Sequence, residues 1–207
     1  DVGTVTTPIT NGMRTDDTQP ELSGSGAVPG ATITITVDGG TPATVTANAS
    51  GDWIYEVKPG LSDGPHTVVV TQTDPAGTTS PATTIGFTVD TVAPSAPAIV
   101  SVYDDVAPVV SDIANNGFTN DQKPTLNGTA EANSVVKVYD GVTLLGSATT
   151  DGAGAWTFTP ATSLSEGSHT FTVKAVDVAG NESGSSAPWT VTVDTARPLI
   201  PVYDLYD

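Results

Sequence analysis

The sequence predicts an all-β chain made of two tandem sandwich domains. Three observations carry this: a repeat of domain length, alternating β-branched runs, and turn residues at short intervals. Thr15-Asp16-Asp17-Thr18-Gln19-Pro20-Glu21-Leu22-Ser23-Gly24 returns as Thr119-Asn120-Asp121-Gln122-Lys123-Pro124-Thr125-Leu126-Asn127-Gly128, with Pro20 and Pro124 lying 104 positions apart. After a one-residue slip, Gly51-Asp52-Trp53 matches Gly154-Ala155-Trp156, and Asp63-Gly64-Pro65-His66 matches Glu166-Gly167-Ser168-His169. Asp74-Pro75-Ala76-Gly77 likewise matches Asp177-Val178-Ala179-Gly180, and Thr88-Val89-Asp90-Thr91 matches Thr192-Val193-Asp194-Thr195. Solenoid units are about 20–50 residues long, so a repeat of this length is a whole domain. The 207 residues accommodate two domains of about 100 residues, each able to bury its own core. The expected boundaries are 1–94 and 95–198, with 199–207 as the start of a third repeat.

The strands follow in order. Thr32-Ile33-Thr34-Ile35-Thr36-Val37 and Thr67-Val68-Val69-Val70-Thr71 mark the first copy. Val135-Val136-Lys137-Val138-Tyr139, His169-Thr170-Phe171-Thr172-Val173-Lys174 and Thr190-Val191-Thr192-Val193 mark the second. Each has the period of two that belongs to a half-buried strand. Asp38-Gly39-Gly40, Ser50-Gly51-Asp52, Asp140-Gly141 and Asp151-Gly152 supply the turns between strands. No stretch has a helical period. About seven short strands per 100 residues with turns this regular describe an immunoglobulin-like sandwich. Trp53 and Trp156 each open an alternating strand and are expected in the sandwich core, where large aromatics dominate burial. His66 and His169 each precede a strand, and no second His or Cys lies nearby. They are expected to be strand-edge hydrogen bonders and not zinc ligands.

Composition narrows the function. Six basic residues stand against 23 acidic ones, a formal charge of −17, which argues against nucleic acid or an anionic membrane as partner. There are no cysteines, hence no disulfide staple and no thiolate metal site. Of the acids, 18 are Asp and only 5 are Glu. Asp suits turns because its short side chain bonds its own backbone. It also suits calcium, as a hard oxygen ligand on a short tether. Nothing reads as a signal peptide, a membrane-spanning run or a lipidation signal, and the chain is expected to be an interior slice of a longer protein. Catalytic settings are missing too: no nucleophile elbow, phosphate-binding glycine loop or His-Glu-x-x-His occurs. An enzymatic role is therefore not expected.

The acids gather at strand ends and at the junctions between copies. Asp16-Asp17, Asp74 and Asp90 in the first copy match Asp121, Asp177 and Asp194 in the second. Asp104-Asp105 lie between the copies, Asp1 matches Asp105, and Asp204 lies in the fragment of a third unit. Calcium takes about 6–8 oxygens from carboxylates, carbonyls and water, and several Asp converging from separate loops would supply them. The competing reading is a set of ordinary Asx turns. The junction set is expected to bind calcium.

Asp-Asp-Val-(Ala/Gly)-Pro, Thr-(Asp/Asn)-Asp-x-x-Pro-x-Leu-x-Gly-x-Ala, Asp-Gly-x-Gly-x-Trp-x-Phe-x-Pro, Leu-x-(Asp/Glu)-Gly-x-His-x-(Phe/Val), Asp-x-Ala-Gly-Asn and Val-Asp-Thr-x-x-Pro together carry a family likeness. The chain resembles the bacterial Ig-like repeats of giant adhesins, the biofilm-associated (Bap-like) and type I-secreted, RTX-type proteins of Gram-negative bacteria. Residues 104–194 fit nearly throughout. The first copy departs at Thr78, where the second has Asn181, and lacks an Asp before Gly51 like that at Asp151. The resemblance implies an extracellular extender in which many such domains form a rod stiffened by calcium at or near the junctions. Two candidate ion clusters follow: Asp90 with Asp177 and Asn181, and Asp104 with Asp105, Asn120 and Asp121. Asp1, Asp16 and Asp17 form the first-copy counterpart of the second cluster. The expected partners are neighbouring repeats of the same chain, in a monomer that does not insert into a membrane. The alternatives are a ligand- or glycan-binding module, or a spacer of a secreted carbohydrate-active enzyme.

Overall fold

The structure, a computed structural model, describes residues 9–197. The chain divides into two compact units. One comprises residues up to 93 with the segment 177–181, and the other comprises 94–176 with the residues from 182 onward. The described residues are all strand, turn and loop, without helix.

The first unit contains β1 (Arg14–Thr15), β2 (Glu21–Gly24), β3 (Thr32–Val37), β4 (Ala43–Thr46), β5 (Trp53–Glu56), β6 (Gly64–Thr73) and β7 (Thr83–Val89). They form a five-stranded sheet in the order β1-β7-β6-β3-β4 and a two-stranded sheet of β2 and β5. The second unit contains β8 (Ala98–Asp104), β9 (Ser111–Asp112), β10 (Gly117–Thr119), β11 (Thr125–Thr129), β12 (Val135–Asp140), β13 (Thr143–Thr149), β14 (Ala155–Phe158), β15 (Gly167–Val176) and β16 (Trp189–Val193). Here the sheets run β10-β16-β15-β12-β13 and β14-β11-β8-β9. The short β1 and β10 pair in parallel with β7 and β16, and every other ladder is antiparallel.

The alternation read from the sequence decides which face is buried. Ile33 and Ile35 point into the first core with Val68, Phe87 and Val89, while Thr32 on the same strand is exposed. In the second unit Val136 and Val138 meet Phe171, Val173, Val191 and Val193 around Leu126 and Trp156. Each such side chain contributes about 1.5–3 kcal/mol on full burial. Trp156 is buried at 3% exposure, and its counterpart Trp53 is half-buried against its own core. Gly128 and Gly24 lack a Cβ for a visible reason: a Cβ there would fall within 3 Å of the Trp156 and Trp53 rings respectively.

Turns repeat between the copies even where the letters differ. In the second unit Asp151 Oδ1 accepts from the backbone N–H groups of Ala153 and Ala155, both at 2.9 Å. In the first, Asn48 Oδ1 accepts from Ser50 and Asp52 at 2.8 and 2.9 Å. Asn48 thus does the work of the Asp that the first copy lacks.

Candidate functional site

The acids of the second unit were expected to converge where β8 ends near the loop after β10, and side chains from both places do meet there. Asp104, the last residue of β8, is 3% exposed. Its Oδ1 accepts from the N–H of Val106 (2.8 Å) and its Oδ2 from the hydroxyl of Thr119 (2.6 Å). The same Thr119 oxygen accepts from the N–H of Asp121 (3.0 Å). One hydroxyl therefore joins two buried acidic residues from separate segments. Asp121 Oδ1 accepts from the N–H of Lys123 (2.7 Å), whereas Asp121 Oδ2 is buried with no hydrogen-bond partner. Asn120 donates from Nδ2 to the Ala107 carbonyl (3.0 Å), tying the two loops together. Asp105 is exposed. Asp105, Asn120 and Asp121 all line one depression of about 480 Å³, beside Lys123 and Thr159.

The first unit keeps part of this pattern. Thr15 Oγ1 accepts from the N–H of Asp17 (3.1 Å), and Asp17 Oδ1 accepts from the N–H of Gln19 (2.8 Å). Burial pushes the Asp16 carboxyl above the usual carboxylate range; a hydrogen bond from its own N–H opposes this, and the charges of Asp17 and Asp177 add to it. Asp1 and Asp204 lie outside the described residues.

The remaining candidates are largely occupied by local bonds. Asp177 Oδ1 accepts from the N–H of Gly180 (2.7 Å) and Asn181 (2.9 Å), and its Oδ2 accepts from Asn181 Nδ2 (2.8 Å). Within the first unit Asn181 Nδ2 also donates to the Asp90 carbonyl at 2.7 Å. The Asp90 carboxylate takes a hydrogen bond from Arg14 (3.0 Å) and one from the N–H of Val92 (3.3 Å). Asp74 accepts from the N–H of Thr78, and Asp194 from the N–H of Ala196. These four are Asx-type turns. Among the described residues, no group of three or more His, Asp or Glu side chains is arranged to hold a metal ion.

Two further sets of residues tie strands together: the histidines, which are hydrogen bonders at strand starts as expected, and a pair of acids whose role their sequence context did not disclose. His66 faces Asp38 Oδ2 through Nδ1 (2.7 Å) and the Ser62 carbonyl through Nε2 (2.7 Å). His169 repeats this with Asp140 (2.6 Å) and the Ser165 carbonyl (2.9 Å). Both ring nitrogens face acceptors, so the doubly protonated ring satisfies both contacts. Burial pulls each histidine down, but the hydrogen bonds to Asp and Ser and the carboxylate charge together raise it above its ordinary value. The second set consists of Asp63 and Glu166, which cap the chain just beyond the last strand of each repeat. Asp63 accepts from Thr91 N–H (3.0 Å) and Oγ1 (2.9 Å), and Glu166 accepts from Thr195 N–H (3.1 Å) and its hydroxyl. The signal was the matched spacing of Asp/Glu-Gly-x-His with the Thr that follows Val-Asp, which reads as turn chemistry until the strands are assembled.

A model of the bacterial Ig-like domain family matches residues 6–91 and again 103–195. The chain belongs to the bacterial Ig-like domain family. Among solved structures it is similar to the fibronectin(III)-like modules of Clostridium thermocellum CbhA, with 17% identity, a TM-score of 0.56 and coverage of 98% of this chain and 99% of that one. It also matches the BSP domain of a biofilm-associated protein at 28% identity and a TM-score of 0.35, covering 92% of this chain and 30% of that one. A third match is to domains FN1–FN3 of chicken CNTN1, at 12% identity, a TM-score of 0.49 and coverage of 89% and 65%. No curated protein matches the chain. The first of these likenesses establishes an Ig/fibronectin-type fold. No helix among the described residues is long and apolar enough to cross a membrane.

Proposed function

We propose that these tandem bacterial Ig-like domains are extender repeats of a large extracellular bacterial adhesin, stiffened by calcium and supporting surface attachment and biofilm formation. The observation that carries the extender reading is the duplication itself: two whole copies of one domain family cover most of the chain. A spacer gains length from each copy, whereas a catalytic site gains nothing from being placed twice in line. Low basic content and a charge of −17 favour a calcium-rich medium over a polyanionic partner.

The calcium part rests on the second unit. The buried Asp121 Oδ2 without a partner is the kind of atom that a cation would satisfy, since an orphaned buried carboxylate oxygen costs about 1–3 kcal/mol or more. Asp104, Asp105, Asn120 and Asp121 would hold the ion, with backbone carbonyls and water completing its shell. The ion would supply charge neutralisation where acids of separate loops meet. Bound there, and at the equivalent Asp16–Asp17 region, it would narrow the freedom that modest inter-domain interfaces leave by default.

Small-angle scattering in millimolar calcium and then in chelator tests the reading. A distance distribution that lengthens and sharpens with calcium is expected. One indifferent to the metal refutes calcium stiffening.

A further inference from the structure

The chain enters and leaves the second unit at opposite ends. β8 runs from Ala98 to Asp104, whose carboxylate accepts from Thr119, and Thr119 lies opposite Val193 in the parallel β10–β16 ladder. The exit of β16 therefore sits where β8 stops. Ala98 lies opposite Thr129, which leads to the end where Val135 meets Val176, the far end of β15 from Gly167 and Val193. Tension applied through the two chain ends thus runs along β16. Ladder bonds cross between strands, so they resist together while the strand slides and fail one by one when it is peeled from its end.

The residues just beyond that end are fastened. Thr195 donates its N–H (3.1 Å) and its hydroxyl to the Glu166 carboxylate, and Glu166 directly precedes the Gly167 that faces Val193. The contact extends the β15–β16 ladder past its last pair. The loop carrying Glu166 is itself anchored. Leu164 is buried in the core, and its N–H donates to the Gln122 carbonyl at 2.8 Å. His169 meets the Ser165 carbonyl at 2.9 Å and Asp140, the last residue of β12, at 2.6 Å. A continuous route joins Thr195, Glu166, Ser165, His169 and Asp140.

The first repeat rebuilds each link. Thr91 donates twice to Asp63, Leu61 N–H bonds the Thr18 carbonyl at 2.7 Å, and His66 lies between the Ser62 carbonyl and Asp38. A surface ion group on the same sheet is not kept. Lys137 and Lys174 both bond Glu182 in the second repeat, and Thr34, Thr71 and Thr79 stand at the matching places in the first. Exposed charges change between the copies, while this route keeps its chemistry at every link. Thr91, Asp63, Thr195 and Glu166 are themselves exposed, where water replaces a lost hydrogen bond and equilibrium stability gains little from one. Their position at the exit is what sets them apart.

We propose that Glu166–Thr195 and Asp63–Thr91 are load latches, which pass tension from the chain leaving each repeat through the histidine into β12 or β3 and so keep the last strand from peeling. The inference rests on the extender reading for one thing only, that the chain is pulled through its ends.

The test pulls single molecules of the intact 207-residue chain, which has no cysteine of its own, by a cysteine handle added at each end, in chelator. Glu166→Ala should make one of the two unfolding steps at least about tenfold faster at fixed tension, and steepen its dependence on tension, because the strand then yields from its end. The unfolding rate of the same variant in urea, where no load enters at Thr195, should rise about threefold or less. Asp63→Ala should act likewise on the other step. Placing the second handle on Gly152→Cys, a position with open space around it, takes Thr195 out of the loaded path and should abolish the excess caused by Glu166→Ala. A rate under tension that rises no more than the rate in urea overturns the proposal, as does an excess that persists with the handle at position 152. Either result leaves the extender reading standing, and scattering indifferent to calcium would leave the latches standing.

Discussion

Ring Nδ1 of His66 lies 2.7 Å from Asp38 Oδ2, pinning the start of β6 to the turn that closes β3. The other Asp38 oxygen accepts from the N–H of Thr67 at 2.8 Å, so the carboxylate holds side chain and backbone together. The second repeat rebuilds the arrangement with His169, Asp140 and Thr170. Conformational stability should therefore respond to pH through these two pairs.

The histidines are raised above their ordinary value in the folded chain. Their contribution is complete below the unfolded value of about 6.5 and is lost as pH rises through the folded values. Asp38 is shifted the other way: burial raises it, and His66 and the Thr67 N–H outweigh burial and lower it. Its contribution is present above about 3.9, the unfolded value, and is lost as pH falls through the folded one. The melting temperature should therefore peak in mildly acidic solution and decline towards pH 9. The double variant His66→Gln, His169→Gln should flatten the alkaline limb. Calorimetry across pH decides it, and a wild-type limb that is already flat refutes the staple.

Thr119→Val keeps the shape of the side chain and removes the hydroxyl shared by Asp104 and Asp121. Asp104 Oδ2 and the N–H of Asp121 then lose their partner inside a buried region. Unfolding of the second domain in urea should show a loss of about 1–3 kcal/mol in metal-free buffer. An unchanged midpoint would mean that water replaces the hydroxyl at no cost.

Calcium should raise the melting temperature relative to chelator. With a dissociation constant of about 10⁻⁴ to 10⁻³ M, a tenfold excess of ion contributes roughly 1.4 kcal/mol per site. Asp121→Ala or Asp105→Ala should abolish most of the rise in the second domain. Asp112→Ala, exposed on β9, should leave it intact. Asp63→Ala should also leave the calcium response intact while lowering metal-free stability through its lost hold on Thr91. Equal effects at all four positions would indicate a diffuse counterion cloud.

Glycine substitutions should separate the two repeats. Gly128→Ala drives a methyl into the Ala98 carbonyl and the Trp156 ring, and overpacking of this kind costs about 1–3 kcal/mol or more. The atoms nearest a Cβ on Gly24 belong to the half-buried Trp53 side chain, at 2.6–2.7 Å, and not to backbone as at Gly128, so the cost of Gly24→Ala should be smaller. Gly152→Ala, with open space around it, serves as the neutral reference. A larger loss at Gly24 than at Gly128 would contradict the closer backbone contact read at Gly128.

Much of this protein was legible in the order of its residues. The all-β class, the duplication and the inward faces of β3, β6, β12, β15 and β16 follow from a period of two, because alternate side chains leave a strand on opposite sides. The turns at Asp38, Asp140 and Asp151 were equally readable from their Asp-Gly pairs, and at Asp151 the carboxylate bonds its own backbone within a few residues. Asp177 and Asp74 also follow that local rule, and it is why the sequence could not tell a turn-forming Asp from a metal-binding one: both need the same short side chain in the same loops. What the tertiary structure alone decided depends on contacts between distant segments. It placed Thr119 between Asp104 and Asp121 and left one oxygen of Asp121 buried without a partner. It turned Asp63 and Glu166 from turn residues into anchors for Thr91 and Thr195. Strand pattern is written in neighbours, whereas pairing across a sheet and the burial of a carboxylate are set by residues 15 to 30 positions away or more.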